Sequence, residues 1–159
     1  MRNEAQSHVD IFLSLLIVSL IVIFDRLTKI LFSHTLSLGE SLPVVRNIFH
    51  ITLVQNTGIA FGLFKNHGAV FIIIPLIMIF LLVFNFYQYN YNNEKFSRLY
   101  VTAVSLILAG AIGNLIDRIF YGYVIDFIDF RIWPVFNIAD SAITVGAFLL
   151  ILQLNSSTS

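Results

Sequence analysis

The sequence of 159 residues contains no cysteine and few charged residues. The absence of cysteine excludes thiol nucleophiles, disulfides, iron–sulfur clusters and thiolate metal sites. Nine Lys and Arg residues balance nine Asp and Glu residues, so no net positive charge favours nucleic acid as a partner. The four histidines, His8, His34, His50 and His67, lack the short spacing of metal ligands. We therefore expect no metal ion, no other cofactor and no nucleic acid.

Apolar residues are correspondingly abundant. They make up 58% of the chain and charged residues 11%, compared with about 45–50% and about 25% in soluble domains. A water-soluble fold of this length cannot bury so much apolar surface, so lipid is the expected solvent. Four stretches approach the roughly 20 apolar residues that cross a bilayer as a helix. The sequence predicts an all-α polytopic membrane protein, a single domain over 1–159 with transmembrane helices at about 11–32, 69–86, 99–120 and 138–154.

Two connections, 33–68 and 121–136, lie on the same side of the membrane if all four helices span it. In the first, Val44–Val54 includes alternating apolar and polar residues, the period of a half-buried strand. In the second, Val124–Ile132 is rich in β-branched and aromatic residues, which favour strands. Together these connections predict a small β-rich platform at the bilayer surface.

The distribution of Lys and Arg bears on the orientation in the membrane. These residues usually accumulate on the cytoplasmic side, which here would place the platform in the cytoplasm and the termini outside. We give this count little weight, because four of the six cations on the platform side lie in or beside motifs that look functional or paired. The platform side carries Arg26, Lys29, Arg46, Lys65, Arg118 and Arg131, and the side of the termini carries Arg2, Lys95 and Arg98.

Charged residues inside membrane segments cost a few kcal/mol or more and are functional candidates for that reason. Asp25 and Lys29 are four residues apart, so one helical face can hold them as an ion pair. A structural pair at the interfacial end of the helix, with Lys29 reaching towards water, explains this spacing equally well. We favour the structural interpretation for both residues.

A second polar cluster lies in Gly113–Arg118. Asn114, Asp117 and Arg118 are spaced i, i+3 and i+4 and share one helical face. For Asp117 we favour a contact with its neighbour Arg118 that satisfies both charges. Asn114 and Arg118 are hydrogen-bond donors that could instead orient the backbone of a substrate.

A third cluster contains Asp126 and Asp140. Asn137 is a good N-cap residue, so Asp140 has the position of a carboxylate that closes a capping box. If Asp140 does not act together with another carboxylate, helix capping is enough to explain an acidic residue at this position. Two carboxylates brought together at the membrane face would act differently, because like charges a few ångströms apart cannot both ionise. One then keeps a proton while the other accepts one, as hydrolysis of an amide by water requires.

Five blocks of the sequence, in this order, resemble those of the lipoprotein signal peptidases (signal peptidase II), which are membrane-embedded aspartyl proteases of bacteria. Any single block is weak evidence, whereas five in order on a chain with four apolar segments are specific. Arg26 stands where the family often has Gln, a departure that affects no catalytic position. The blocks are Asp25–Lys29, Asn56–Phe61, Gly113–Arg118, Val124–Phe127 and Phe136–Ser141.

The resemblance implies removal of signal peptides from prolipoproteins by cleavage before a cysteine that carries diacylglycerol. It implies Asp126 and Asp140 as the catalytic pair. It also implies a location in the bacterial cytoplasmic membrane, with cytoplasmic termini and the active site at the outer face. We expect a monomer in contact with membrane lipid. Residues that would bind substrate or support the pair are Asn56, Asn114, Arg118 and Asn137.

Asp129 competes with Asp126 for the catalytic assignment, because both stand in an Ile-Asp-Phe triplet. Asp126 follows Arg118 by eight residues, as the resembled pattern requires. In an extended segment, residues three apart point to opposite faces, so only one of the two can meet Asp140. A helical segment would place both on one face. We expect Asp129 to be a surface carboxylate that faces water or Arg131, a contact worth under about 1 kcal/mol.

Two other classes of membrane protein have comparable features. A small transporter or proton-coupled carrier also uses intramembrane Asp, Lys and Arg residues, but no inverted repeat is evident in the sequence. A purely structural membrane subunit is the other class. Only a peptidase would cleave a purified, lipid-modified prolipoprotein.

Overall fold

The computed structural model describes residues 4–58, 69–91 and 97–156, and these form four helices and a three-stranded antiparallel sheet. Two strands lie between the first and second helices and one between the third and fourth, so that the sheet is assembled from two connections between helices. The elements are α1 (Glu4–Thr35), β1 (Ser41–Val45), β2 (Phe49–Asn56), α2 (Val70–Tyr91), α3 (Arg98–Tyr121), β3 (Val124–Asp129) and α4 (Ile138–Ser156).

The four predicted helices are present, and their boundaries follow the apolar runs closely. α3 and α4 begin within a residue of the predicted positions. The prediction was too short for α1, which begins at Glu4, and for α2, which continues to Tyr91. Both extensions contain polar residues that do not belong to an apolar run but are compatible with a helix. Pro75 lies within α2, where neighbouring groups in a membrane helix can satisfy the freed carbonyl.

α3 is the central helix of the bundle and packs against the other three. Half of the residues of α3 are buried, whereas α1 exposes large apolar side chains along much of its length. His8–Thr35 and Arg98–Tyr121 are long and apolar enough to cross a membrane. Val70–Asn85 and Ile138–Gln153 are shorter apolar helical segments.

Small residues allow α3 and α4 to approach closely. A Cβ atom added to Gly110 of α3 would lie 2.2 Å from the carbonyl oxygen of Ala139 in α4. A Cβ atom added to Gly146 of α4 would lie 2.7 Å from the carbonyl oxygen of Ala103 in α3. Association of helices in lipid depends on such close packing, because lipid tails are as apolar as the side chains.

The first strand segment was predicted too simply. Val44–Val54 is not one strand but includes the turn of the β1–β2 hairpin, where Asn47 has a φ of 62°. The predicted alternation holds within β2, in which Ile51 and Leu53 are buried. Residues 59–68 of the predicted platform lie outside the described part of the chain.

β3 is shorter than its predicted range of Val124–Ile132, since it ends at Asp129. The sheet order is β1-β2-β3, with both pairs antiparallel. On the free edge of β3, Ile128 and Phe136 exchange backbone hydrogen bonds of 2.8 and 3.1 Å. This bridge returns the chain to the sheet immediately before α4 begins.

Replacing Gly110 with Ala should lower the thermal unfolding midpoint in detergent, because the added methyl group meets backbone that cannot move independently of α4. Overpacking of this kind costs about 1–3 kcal/mol. Ile119→Ala, on the exposed side of α3, is the control and should change the midpoint little. A Gly110→Ala protein as stable as the wild type would contradict the close contact of α3 and α4.

Candidate active site

Asp126 and Asp140 lie where the sheet adjoins the beginning of α4. Asp126 is the third residue of β3 and has only 1% of its surface exposed. Asp140 is the third residue of α4 and is half-buried. The backbone bridge between β3 and Phe136 places the start of α4 beside the strand. The two carboxyl groups consequently lie close enough to interact electrostatically.

Two asparagine side chains link the two carboxyl groups. The Nδ2 of Asn137 donates to Oδ1 of Asp126 at 2.8 Å, and the Nδ2 of Asn114 donates to Oδ1 of Asp140 at 2.7 Å. The amides also bond to each other, since Nδ2 of Asn137 donates to Oδ1 of Asn114 at 3.0 Å. Each carboxyl group is therefore held by an amide, and the amides hold each other.

Asn137 also caps α4, as predicted. Its Oδ1 accepts the backbone N–H of Asp140 at 2.8 Å, and Oδ2 of Asp140 accepts the backbone N–H of Asn137 at 3.3 Å. This reciprocal pair is a capping box. The capping interpretation of Asp140 and its place in the cluster are compatible, because the two roles use different oxygen atoms.

Asn56, the last residue of β2, binds Asp126 from the opposite side. Its Nδ2 donates to Oδ2 of Asp126 at 3.0 Å, while its Oδ1 accepts the backbone N–H of Gly58 at 2.9 Å. Gly58 has a φ of 75°, which glycine adopts without strain. The second bond fixes the orientation of the Asn56 amide, so that its donor faces the carboxyl group. Residues 59–61 of this sequence block lie outside the described residues.

The environment of Asp126 raises its pKa to about 7. The largest cause is burial, which disfavours the charged carboxylate, and the nearby Asp140 acts in the same direction. The hydrogen bonds from Asn56 and Asn137 and the charge of Lys29 oppose the shift. At neutral pH the protonated and ionised forms of Asp126 are therefore both well populated.

Asp129 has a different environment on the same strand. Its carboxylate accepts from Oγ1 of Thr52 at 2.7 Å and from the backbone and guanidinium of Arg131, both at 2.8 Å. Burial acts to raise its pKa, but these hydrogen bonds together with the Arg131 charge lower it. The predicted contact with Arg131 is present. The predicted surface exposure was wrong, since Asp129 is 4% exposed, and none of its described contacts reaches Asn137 or Asp140.

Arg118 lies in the last turn of α3 and is half-buried. Its guanidinium interacts electrostatically with Asp140 and Asp126. Among the described residues no hydrogen bond from this guanidinium is found, so the fold does not use its donors. A cation of this kind suits the binding of a carbonyl or carboxylate group of a ligand.

A buried ionic cluster lies behind the two asparagines. Lys29 Nζ is 2.7 Å from Oδ2 of Asp25 and 2.8 Å from Oδ2 of Asp117, and all three side chains are fully buried. The predicted pairing of Asp25 with Lys29 is thus present. The expectation that Lys29 extends to water was wrong, because its ammonium group turns inward to Asp117.

The expected partner of Asp117 was also wrong. Asp117 contacts not Arg118 but Lys29 and the guanidinium of Arg26. Arg26 additionally lies over the ring of Tyr121, 5.6 Å from the centroid. Sequence reasoning missed Arg26 as a partner, since no helical spacing connects α1 to α3. The signal in the sequence was that both apolar segments contain acidic and basic residues, which could pair between the two helices.

A cleft of about 420 Å³ opens beside Asp140. Its walls are mostly apolar and also include the Asp140 carboxyl group and two hydroxyl side chains of α4, so an amphiphilic ligand would fit its chemistry. Among the described residues, no group of three or more His, Asp or Glu side chains is arranged to hold a metal ion. The cleft is lined by Trp133, Phe136, Asp140, Ser141, Thr144 and Val145.

The sequence profile of a family described as Signal peptidase (SPase) II matches residues 17–156. A lipoprotein signal peptidase of Halothermothrix orenii is 43% identical over 140 residues, which cover 87% of this chain and 92% of the relative. A lipoprotein signal peptidase of Staphylococcus aureus strain Newman is 39% identical over 150 residues, which cover 92% of this chain and 90% of the relative.

Two solved structures are similar to this fold. Both are described as bacterial membrane enzymes whose structures were obtained by the in meso method, one at 2.3 Å and the other at 1.9 Å. The first has a TM-score of 0.83 and 38% identity, and the match covers 94% of this chain and 91% of that protein. The second has a TM-score of 0.81 and 39% identity, with coverage of 91% and 93%.

The opposite pKa shifts of Asp126 and Asp129 predict opposite effects of pH on stability. As pH rises from the ordinary carboxyl pKa of 3.8 to about 7, the folded protein retains on Asp126 a proton that the unfolded chain has lost. Wild-type stability falls over that interval by up to about 1.4 kcal/mol per pH unit. The unfolding midpoint of Asp126→Asn should therefore rise relative to the wild type between pH 5 and 7 and then level off.

Asp129→Asn is the matched control on the same strand. The lowered pKa of Asp129 stabilises the fold above pH 3.8, and this contribution is lost as pH falls through the folded-state pKa. Asp129→Asn should be less stable than the wild type at pH 7, and the difference should shrink in acid. Parallel pH profiles for the two variants in thermal unfolding would contradict the environments described above.

Proposed function

This chain belongs to the signal peptidase II family, membrane enzymes that remove signal peptides from prolipoproteins, and we propose that it is an aspartic endopeptidase. Its catalytic pair is Asp126 and Asp140, and it cleaves before a cysteine that carries diacylglycerol. We propose that residues 1–159 form a single membrane-embedded peptidase domain.

The observation that carries this assignment is the pairing of the two carboxyl groups through Asn137 and Asn114. The pKa of about 7 for Asp126 supports it, because a large fraction of the molecules then keeps a proton on the pair at neutral pH. Hydrolysis by an aspartic dyad requires this state, with one carboxylate to accept a proton and one carboxyl group to donate a hydrogen bond.

The reaction uses a water molecule between the two carboxyl groups. The ionised carboxylate removes a proton from this water, which attacks the carbonyl carbon of the scissile peptide bond. The protonated carboxyl group polarises the carbonyl oxygen and stabilises the charge that develops on it. Collapse of the tetrahedral intermediate breaks the C–N bond, and the leaving amine takes the proton that the first carboxylate removed from water, which restores the pair to its initial state. The resting proton belongs to the pair and not to either residue alone.

The surrounding residues have supporting roles in this proposal. Asn56 and Asn137 hold the two oxygens of Asp126 from opposite sides, which fixes the carboxyl plane towards its partner. Asn114 holds Asp140 in the same manner. Arg118 binds a backbone carbonyl of the substrate. The cleft beside Asp140 receives apolar parts of the substrate.

The substrate remains attached to the membrane during the reaction. A diacylglycerol group on the cysteine keeps its chains in the bilayer, so the enzyme must present its catalytic pair at membrane depth. We propose that all four helices span the membrane, with cytoplasmic termini and the sheet at the outer face of the bacterial cytoplasmic membrane. We propose that the enzyme acts as a monomer. The two shorter helices, at Val70–Asn85 and Ile138–Gln153, would span with polar residues near their ends.

The transporter alternative has no support from the comparisons. The matched family and both relatives are peptidases. The buried charges that suggested an ion pathway also pair with one another through Lys29.

Asp126→Asn and Asp140→Asn should each abolish cleavage of a purified diacylglyceryl-modified prolipoprotein, with losses of at least about 10²–10⁴-fold. Asn is nearly isosteric with Asp but can neither accept the proton of water nor share one. Asp129→Asn should retain most of the activity, because its contacts lie outside the pair. Loss of activity in Asp129→Asn together with cleavage by Asp126→Asn would reverse the assignment.

The orientation is tested by single cysteines, which need no background substitution because the chain contains none. Ser37, after α1, and Gln88, near the end of α2, are both exposed. A cysteine at Ser37 should react with a membrane-impermeant thiol reagent in intact spheroplasts, and one at Gln88 should react only after lysis. The reverse pattern would place the site on the cytoplasmic side, as the Lys and Arg distribution suggests.

A further inference from the structure

Lys29 is a fully buried ammonium group that takes no part in the proposed reaction. The ammonium group forms ion pairs with two carboxylates and donates a hydrogen bond to one amide. Its nitrogen lies 2.7 Å from Oδ2 of Asp25 and 2.8 Å from Oδ2 of Asp117, and it donates to Oδ1 of Asn114 at 3.2 Å. The group thus joins two carboxylates to one of the asparagines that hold the catalytic pair.

Both carboxylates also accept hydrogen bonds from backbone N–H groups, each belonging to the residue immediately before a proposed catalytic residue. Asp25 ties α1 to the start of α4, and Asp117 ties α3 to β3. The bonds run from Ala139 N to Oδ1 of Asp25 at 3.0 Å and from Ile125 N to Oδ2 of Asp117 at 3.1 Å. The positions of the strand and of the helix that carry the pair are therefore set from one cation.

The hydrogen bond from Lys29 to Asn114 determines the orientation of the Asn114 amide. Oδ1 of Asn114 accepts from Lys29 and also from Asn137, so its Nδ2 must point to Asp140. A rotated amide would direct its NH₂ group at two donors and leave the carbonyl oxygen facing the carboxyl group of Asp140. Unpaired buried donors are costly, and the rotated state is disfavoured as long as Lys29 is present.

We propose that Lys29 is a positioning residue of the catalytic pair, which it holds through Asn114, Asp25 and Asp117. This inference rests on the proposed function of Asp126 and Asp140. Buried ion pairs contribute little net stability, because the cost of desolvation offsets much of their attraction. The specific consequence of Lys29 is geometric, since it fixes two backbone segments and one amide.

The test compares Lys29→Met with Arg26→Gln in detergent. Both substitutions remove a cation bound to Asp117, but only Lys29 contacts Asn114. Lys29→Met should lower kcat for a diacylglyceryl-modified prolipoprotein by at least about tenfold and change KM by less than about threefold, because the lost contacts act on the reacting groups. Arg26→Gln should lower the unfolding midpoint and leave kcat within about twofold of the wild type.

A double-mutant cycle tests the route through Asn114. If Lys29 acts through this amide, the kcat of Lys29→Met/Asn114→Ala should be little lower than that of the more impaired single variant. In Arg26→Gln/Asn114→Ala, by contrast, the factor by which kcat falls should equal the product of the factors for the two single variants. A multiplicative loss in the Lys29 cycle would contradict the proposed route.

A lysine that serves folding alone gives a different result: Lys29→Met would have a lower unfolding midpoint and wild-type kcat, and the proposal would be overturned. If Lys29→Met does not fold, Asp25→Asn/Lys29→Met removes the carboxylate that has lost its cation and retains an oxygen acceptor for the backbone N–H of Ala139, while Asp117 keeps its ion pair with Arg26. The same loss of kcat is expected. Failure of both proteins to fold would assign Lys29 to folding and overturn the proposal.

Asp126→Asn, measured in parallel, separates this inference from the proposed function. Inactive Asp126→Asn with fully active Lys29→Met would refute only the role of Lys29. Active Asp126→Asn would refute the catalytic assignment itself.

Discussion

One buried cation, Lys29, holds together the parts of the structure that carry the site. Its carboxylate partners come from two helices, Asp25 from α1 and Asp117 from α3. Asp25 also binds the backbone of α4, and Asp117 binds the backbone of β3. The cation gives each of these fully buried carboxylates a partner of opposite charge. The approach of Asp25 requires Gly113, since a Cβ atom there would lie 2.9 Å from its Oδ2. The small residues of α3 and the charges of α1 are thus parts of one arrangement.

The same arrangement explains how a small chain holds two carboxyl groups close together without a large soluble core. Asp126 is on a strand that is held by β2 on one side and by Phe136 on the other. Asp140 is on the first turn of a helix whose capping residue also binds Asp126. Asn137 therefore joins local helix formation to the chemistry of the site. A movement of α4 relative to β3 would therefore disturb the bond between Asn137 and Asp126.

The sequence was sufficient to predict those features that depend on short-range patterns. Apolar runs located the four helices, the cap at Asn137 was evident, and alternation identified β2. The turn at Asn47 was missed, because β-branched and apolar residues flank it and the hairpin resembles one long strand. The choice of Asp126 over Asp129 used the expected extended backbone, and the contacts of the two residues differ accordingly.

Long-range partners were not predictable in the same way. Asp117 stands beside Arg118 in the sequence, yet its cations come from α1. Which charges meet depends on how the helices pack, and close packing at Gly110 and Gly146 has no charge pattern to indicate it. The resemblance to a peptidase family supplied the candidate residues. The hydrogen bonds between these residues, and the contacts of Lys29 with Asp25, Asp117 and Asn114, could be identified only in the three-dimensional structure.

If Asp126 and Asp140 act as a pair, they share a proton that is lost only near neutral pH. Infrared difference spectroscopy of the enzyme with ¹³C-labelled aspartate, in lipid bilayers, detects the carbonyl stretch of a protonated carboxyl group directly. We expect a band that titrates near pH 7, in accordance with the pKa of Asp126, and that is altered in Asp126→Asn but not in Asp129→Asn. A wild-type protein whose aspartates are all ionised by pH 5, or a band that is unchanged in Asp126→Asn, would contradict this pairing.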